Sequence, residues 1–143
     1  MGYLYVPMFL AGAANVLLDH FDPAETLMAM ENERIGYMFA VPTMVNAMAR
    51  HPDVGERDLS ALQRMQIGAA PITDETALLA QEVFGHRLWQ RYGQTEAVPV
   101  TMMGPDEWFA EIEGSQPLRA AGNHCCLPIW RFWTRDPGVA RYR

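Results

Sequence analysis

The sequence predicts an α/β fold of mainly parallel strands with flanking helices. Two observations carry this reading. Short apolar runs alternate with segments of helical periodicity, and Pro or Gly punctuates the joints. Half of the 143 residues are hydrophobic, enough to bury the core of one ordinary domain.

The elements follow in chain order. Residues 10–18 end in the apolar run Asn15-Val16-Leu17-Leu18, which reads as a buried strand. Asp22-Pro23-Ala24-Glu25 is a helix start. Asp22 can cap, Pro23 suits the first helical position, and Glu25 stands where a capping box wants it. Leu27, Met28 and Met30 give that helix its apolar side, and Glu31-Asn32-Glu33-Arg34 ends it. Residues 35–41 read as a second buried strand, which Pro42-Thr43 stops, opening a helix through Arg50.

His51-Pro52-Asp53 is a loop, and Asp58-Leu59-Ser60-Ala61-Leu62 is a turn or short helix with an apolar anchor on each side. Residues 62–67 lead as a strand into Gly68-Ala69-Ala70-Pro71. Thr73 or Asp74 caps a helix to Phe84, with Leu78, Leu79, Ala80, Val83 and Phe84 on its apolar side and Gly85 as its stop. Residues 86–91 form a strand that feeds Tyr92-Gly93-Gln94-Thr95-Glu96. Asp106 and Glu107, before Trp108, read as a solvated turn.

Composition excludes several function classes. The net charge is -6, which argues against a general nucleic-acid binder. All 11 basic residues are arginines. A phosphate loop of the Walker type, a Schiff-base lysine and any other catalytic lysine are therefore not supplied by these residues. The adjacent Cys125 and Cys126 offer neither a disulfide framework nor a spaced zinc set. Met1-Gly2-Tyr3 carries no basic segment of a signal peptide, and no apolar stretch is long enough to span a membrane. A soluble cytoplasmic protein is expected.

The chemistry is expected where strands end, because ligands of open α/β sheets bind beyond the carboxyl ends of the strands. Gly68-Ala69-Ala70-Pro71 allows a flat ligand to approach the backbone. Read alone, it is more often a plain strand-to-helix turn. In Tyr92-Gly93-Gln94-Thr95-Glu96, the phenol offers a stacking face and Gly93 permits a tight turn. Thr95 offers a hydroxyl donor, and Glu96 a hard oxygen ligand for magnesium. A half-buried Tyr and a surface Glu on a loop would read the same way.

Taken together, these motifs resemble the adenylate-forming superfamily, the AMP-dependent synthetases and ligases, and most of all its acyl-CoA synthetases. The resemblance runs over roughly residues 6–122. It takes in Phe21-Asp22-Pro23, Val41-Pro42-Thr43, His51-Pro52-Asp53, Asp58-Leu59-Ser60, Gly68-Ala69-Ala70-Pro71 and Tyr92-Gly93-Gln94-Thr95-Glu96-Ala97. It implies an incomplete piece of the large N-terminal domain of such an enzyme. The parent reaction would join a carboxylic or fatty acid to AMP from ATP, with Mg2+, and pass the acyl group to coenzyme A.

By this resemblance Gly68, Ala69, Ala70, Pro71, Tyr92, Gly93 and Thr95 would bind the nucleotide. Val41, Pro42, Thr43 and Gly68 would border the acyl group. Thr95 and Glu96 would be catalytic, with Glu96 holding magnesium. The family's phosphate loop, its ribose-binding aspartate, its hinge and its catalytic lysine have no counterpart here. The expectation is a fragment inactive by itself, with Met1 an internal methionine of a longer ancestral frame. The alternatives are a truncated nucleotide- or acyl-binding or interaction module, and a remnant without function.

The last stretch departs from the pattern. Residues 114–143 hold five of the arginines and only one acid, Asp136. The expected domain therefore ends at residue 122, with 123–143 a divergent tail from a frameshift. His124-Cys125-Cys126 as soft metal ligands, and Asp19-His20 as an acid–base pair, are weaker readings than an exposed tail and a surface loop. Met44, Met48, Met102 and Met103 could border a pocket, although core filling is the commoner role of methionine.

Overall fold

The computed structural model describes residues 2–94 and 97–124. A five-stranded sheet forms the frame, with its strands in chain order: β1 (Tyr37–Ala40), β2 (Arg64–Ile67), β3 (Leu88–Gln94), β4 (Ala97–Met103) and β5 (Asn123–His124). The first three are parallel, as expected of strands joined through helices, while β4 and β5 add antiparallel pairs. The sequence reading did not anticipate β4. It also placed a buried strand at Asn15-Val16-Leu17-Leu18. No strand forms there, and Leu17 stays 74% exposed. An apolar run without a partner strand cannot satisfy its backbone as a strand.

Among the described residues five α-helices accompany the sheet: α1 (Gly2–Leu10), α2 (Pro23–Asn32), α3 (Pro42–Ala49), α4 (Asp74–Phe84) and the single turn α5 (Pro105–Trp108). Their ends obey local chemistry. The Asp22 carboxylate accepts from the Glu25 amide at 2.9 Å, and Pro23 takes the first helical position of α2. The other end of α2 closes with the Ile35 amide donating to the Met30 carbonyl and the Arg34 amide to that of Glu31. This places Arg34 at φ 49°, in the left-handed region. Thr73 caps α4 by accepting from the Thr76 amide, and Gly85 at φ 71° ends it.

The core lies on one face of the sheet. Met65, Ile67 and Leu88 from the strands meet Leu27 and Met30 of α2, Val45 and Met48 of α3, and Ala77, Ala80 and Phe84 of α4. Arg50, the residue that caps the end of α3, pairs with Glu75 of α4. Two residues expected on apolar helix sides, Met28 and Leu78, point outward instead, because the buried stripe of each helix is narrower than the apolar run. Of the expected methionines, Met48 and Met103 fill core. Trp108, expected beside a solvated turn, is fully buried, with its indole N–H directed to the Leu118 carbonyl at 3.4 Å.

Candidate functional site at the carboxyl ends of the parallel strands

Register brings three of the expected segments to one end of the sheet. Ala40 pairs with Ile67, and Ile67 with Gln90. The residues that follow, Val41, Gly68 and the stretch from Arg91 to Tyr92, therefore emerge side by side. Gly68 donates its amide to the Ala40 carbonyl at 3.4 Å. A Cβ built on Gly68 would lie 2.6 Å from the Arg91 carbonyl oxygen. Only glycine fits there without moving β3 away from β2.

The turn after β2 then bends sharply. Ala69 holds φ 69°, an uncommon conformation for a residue with a side chain. Ala69, Ala70 and Pro71 are exposed. Pro42 is buried at the first position of α3, Val41 is half-buried and Thr43 is exposed.

Tyr92 lies within β3, 46% exposed, and its hydroxyl accepts from the Gln94 amide group at 3.3 Å. Gly93 was expected to permit a tight turn. It instead continues β3, at an irregularity where the pairing with β4 shifts between Tyr92 and Gln94. Thr95, Glu96, Cys125 and Cys126, and the tail from residue 125 onward, lie outside the described residues. The structure thus brings together Val41, Thr43, the Gly68-Ala69-Ala70-Pro71 turn and Tyr92.

Two motifs expected from the resemblance serve the frame rather than this end. The Glu31 carboxylate accepts from the Arg57 guanidinium at 3.0 Å and from the Asp58 amide at 2.9 Å, and Asp58 in turn accepts from the Ser60 amide at 3.0 Å. The Asp58 amide and the Arg57 guanidinium hold the Glu31 carboxyl below its ordinary range. Hydrogen bonds from Ser60 do the same for Asp58. Arg57 also reaches Asp53 at 3.6 Å. The Asp53 and Asp58-Leu59-Ser60 positions thereby pin α2 to the loop before β2.

Two cavities, of about 630 and 500 Å³, open away from these residues. The first lies among Tyr37, Arg64, His86, Trp89, Gly104 and Asp106, at the amino ends of β1, β2 and β3. The second lies between α4 and the segment around Phe109 and Leu118. Neither contains Gly68 or Tyr92, because at the carboxyl end the described residues build one wall of a site and not an enclosure.

Residues 1–126 match the family of AMP-binding enzymes. The chain belongs to that family. Among similar proteins, a feruloyl-CoA synthase of Amycolatopsis sp is 36% identical over 115 residues, which cover 80% of this chain and 23% of the relative. A 4-coumarate–CoA ligase of Oryza sativa is 40% identical over 100 residues, covering 66% of this chain and 17% of the relative. The medium/long-chain fatty acid–CoA ligase FadD8 of Mycobacterium tuberculosis is 39% identical over 93 residues, 65% of this chain and 16% of the relative. The solved structure of the amide bond synthetase McbA of Marinactinospora thermotolerans superposes with a TM-score of 0.62 at 37% identity, over 64% of this chain and 19% of McbA. This chain therefore spans about a quarter or less of the length of the relatives it matches. Its AMP-binding segment has the α/β architecture expected of a piece of the adenylate-forming N-terminal domain. Among the described residues no helix is long and apolar enough to cross a membrane.

Proposed function

We propose that this chain is the segment of an ATP-dependent acyl- or aryl-CoA ligase that carries part of the nucleotide and acyl-binding wall, and that it does not turn over alone. The observation that carries this reading is the convergence of Gly68 and Tyr92 at the carboxyl end of the parallel strands. Gly68, whose Cβ position is filled by the Arg91 carbonyl oxygen, holds the start of the turn after β2 close against β3 and so beside Tyr92. The half-exposed Tyr92 offers a stacking face for adenine. Bound Mg-ATP supplies an electrophilic α-phosphorus for attack by the carboxylate.

Within this chain, the Thr95 hydroxyl would donate to a phosphate oxygen, and the Glu96 carboxylate would supply a hard ligand to magnesium. Val41, Pro42 and Thr43 would border the acyl group. Both aryl and fatty acids suit this reading, since the relatives include feruloyl-, coumarate- and fatty acid–CoA ligases. Coenzyme A as acceptor rests on those same relatives.

With no lysine among its 143 residues, the chain cannot place an ammonium against the developing negative charge. The test is ATP–pyrophosphate exchange with ferulate, 4-coumarate and decanoate as acids, measured beside a thermal melt. The expected result is a cooperative melt with no exchange. Exchange by the purified chain alone would overturn the claim of inactivity. Failure of every adenylate analogue to bind even a chain completed by the remainder of a relative would overturn the site.

A further inference from the structure

The larger cavity, of about 630 Å³, opens at the amino ends of β1, β2 and β3, the opposite end of the sheet from Gly68 and Tyr92. Its size is that of a small-molecule site. Alternation along the strands puts Tyr37, Arg64 and Trp89 on the face away from the core cluster, and the register sets Tyr37 beside Arg64. Trp89 settles here because position 104 is glycine: a Cβ there would stand 3.3 Å from the indole ring. The half-buried Arg64 then holds its guanidinium 4.0 Å from the centre of the Trp89 ring and 5.9 Å from that of Tyr37. The two rings fix the cation in place without offering it an oxygen. Among the described residues no carbonyl or carboxylate accepts from its N–H groups. The cavity lining also carries His86 and Asp106, 2.7 Å apart, and Glu107.

We propose that this cavity is a binding site for an aromatic monocarboxylate, with the carboxylate on Arg64 and the ring against the Tyr37 phenol. A guanidinium presents paired N–H groups at the spacing of two carboxylate oxygens, and one already oriented by rings loses little freedom on binding. The exposed Gln63 amide adds a donor on the same lining. Tyr37 is 47% exposed, so its ring has a face to give a flat ligand. The charge of the ligand follows from the acids. His86 engages Asp106, but Glu107 still opposes a second negative charge, so a monoanion fits better than a phosphate dianion. The site lies apart from the Gly68 and Tyr92 wall, and the proposal does not rest on the ligase reading.

The test is an NMR titration of the full chain with benzoate, following the indole N–H signals, with decanoate and inorganic phosphate as comparison probes. Benzoate is expected to bind saturably and to move the Trp89 signal, which is identified by its loss in Trp89→Phe. Arg64→Gln should weaken benzoate binding by about tenfold or more, while Leu78→Glu on the outer side of α4 leaves it unchanged. If Arg64→Gln loses its cooperative melt, Arg64→Lys takes its place, keeping the charge but losing the fork, and a several-fold weakening is expected. No shift of the Trp89 signal, binding indifferent to both Arg64 variants, or decanoate or phosphate bound as tightly as benzoate would each overturn the proposal. Because the readout is binding at Trp89, loss of the ligase reading would leave this result standing.

Discussion

Two residues carry backbone decisions that their neighbours cannot make for them. Gly68 is one, since the obstacle to a side chain is the Arg91 carbonyl and not a flexible group. Gly68→Ala is expected to cost roughly 1–3 kcal/mol, as overpacking does elsewhere, measured by chemical denaturation. A change under about 0.5 kcal/mol would mean that β2 and β3 can part at no cost. Arg34 is the other, a long side chain at φ 49° where helices usually place glycine. A left-handed residue with a Cβ costs about 1–2 kcal/mol, against about 0.5–1 kcal/mol of extra unfolded entropy for glycine. Arg34→Gly should therefore raise stability slightly, by up to about 1 kcal/mol, and a fall in melting temperature would contradict this. Proline and cap positions made most helix starts legible in the sequence. The close approach at Gly68 was not, because it depends on a strand more than 20 residues away.

At the scale of elements, caps and carboxylate contacts hold helices to the sheet. The Thr73 hydroxyl satisfies the first turn of α4, so Thr73→Ala should cost about 1 kcal/mol, read from the denaturation midpoint at unchanged slope. The Glu31 contacts to Arg57 and Asp58 tie α2 to the loop before β2. Because the folded state lowers the Glu31 pKa, the linked stability is present above its ordinary value of 4.5 and is lost as pH falls through the lower folded value. Glu31→Gln should flatten that acid limb of a stability–pH curve, and an unchanged limb would assign the acid sensitivity to other carboxylates. The motif positions Asp58-Leu59-Ser60 were visible in the sequence, but their partner on α2 was not, since 27 residues separate Glu31 from Asp58.

At the scale of the whole molecule, one face of the sheet is packed and a large apolar surface is not. Phe9, Leu10 and Leu17 are 64%, 78% and 74% exposed. Exposed apolar groups on this scale mark contact surfaces or association hazards. The chain is expected to bind a hydrophobic dye in its native state and to self-associate at tens of micromolar. The triple change Phe9→Glu, Leu10→Glu and Leu17→Glu should reduce both without shifting the thermal midpoint by more than a few degrees. A native chain that binds no dye would show that these residues are covered in solution.

The sequence by itself determined the α/β class, the caps of α2 and α4, the strand-to-helix joints at Pro42 and Gly68, and the family motifs. These are local matters of φ preference, hydrogen-bonding side chains and apolar period. The tertiary structure decided which apolar runs found a partner. It left residues 15–18 outside the sheet, drew Gly93 into β3, added β4 and buried Trp108 under the Leu118 carbonyl. Strand pairing and burial depend on contacts between distant residues, and a local pattern carries no record of which distant surface will be present to cover it.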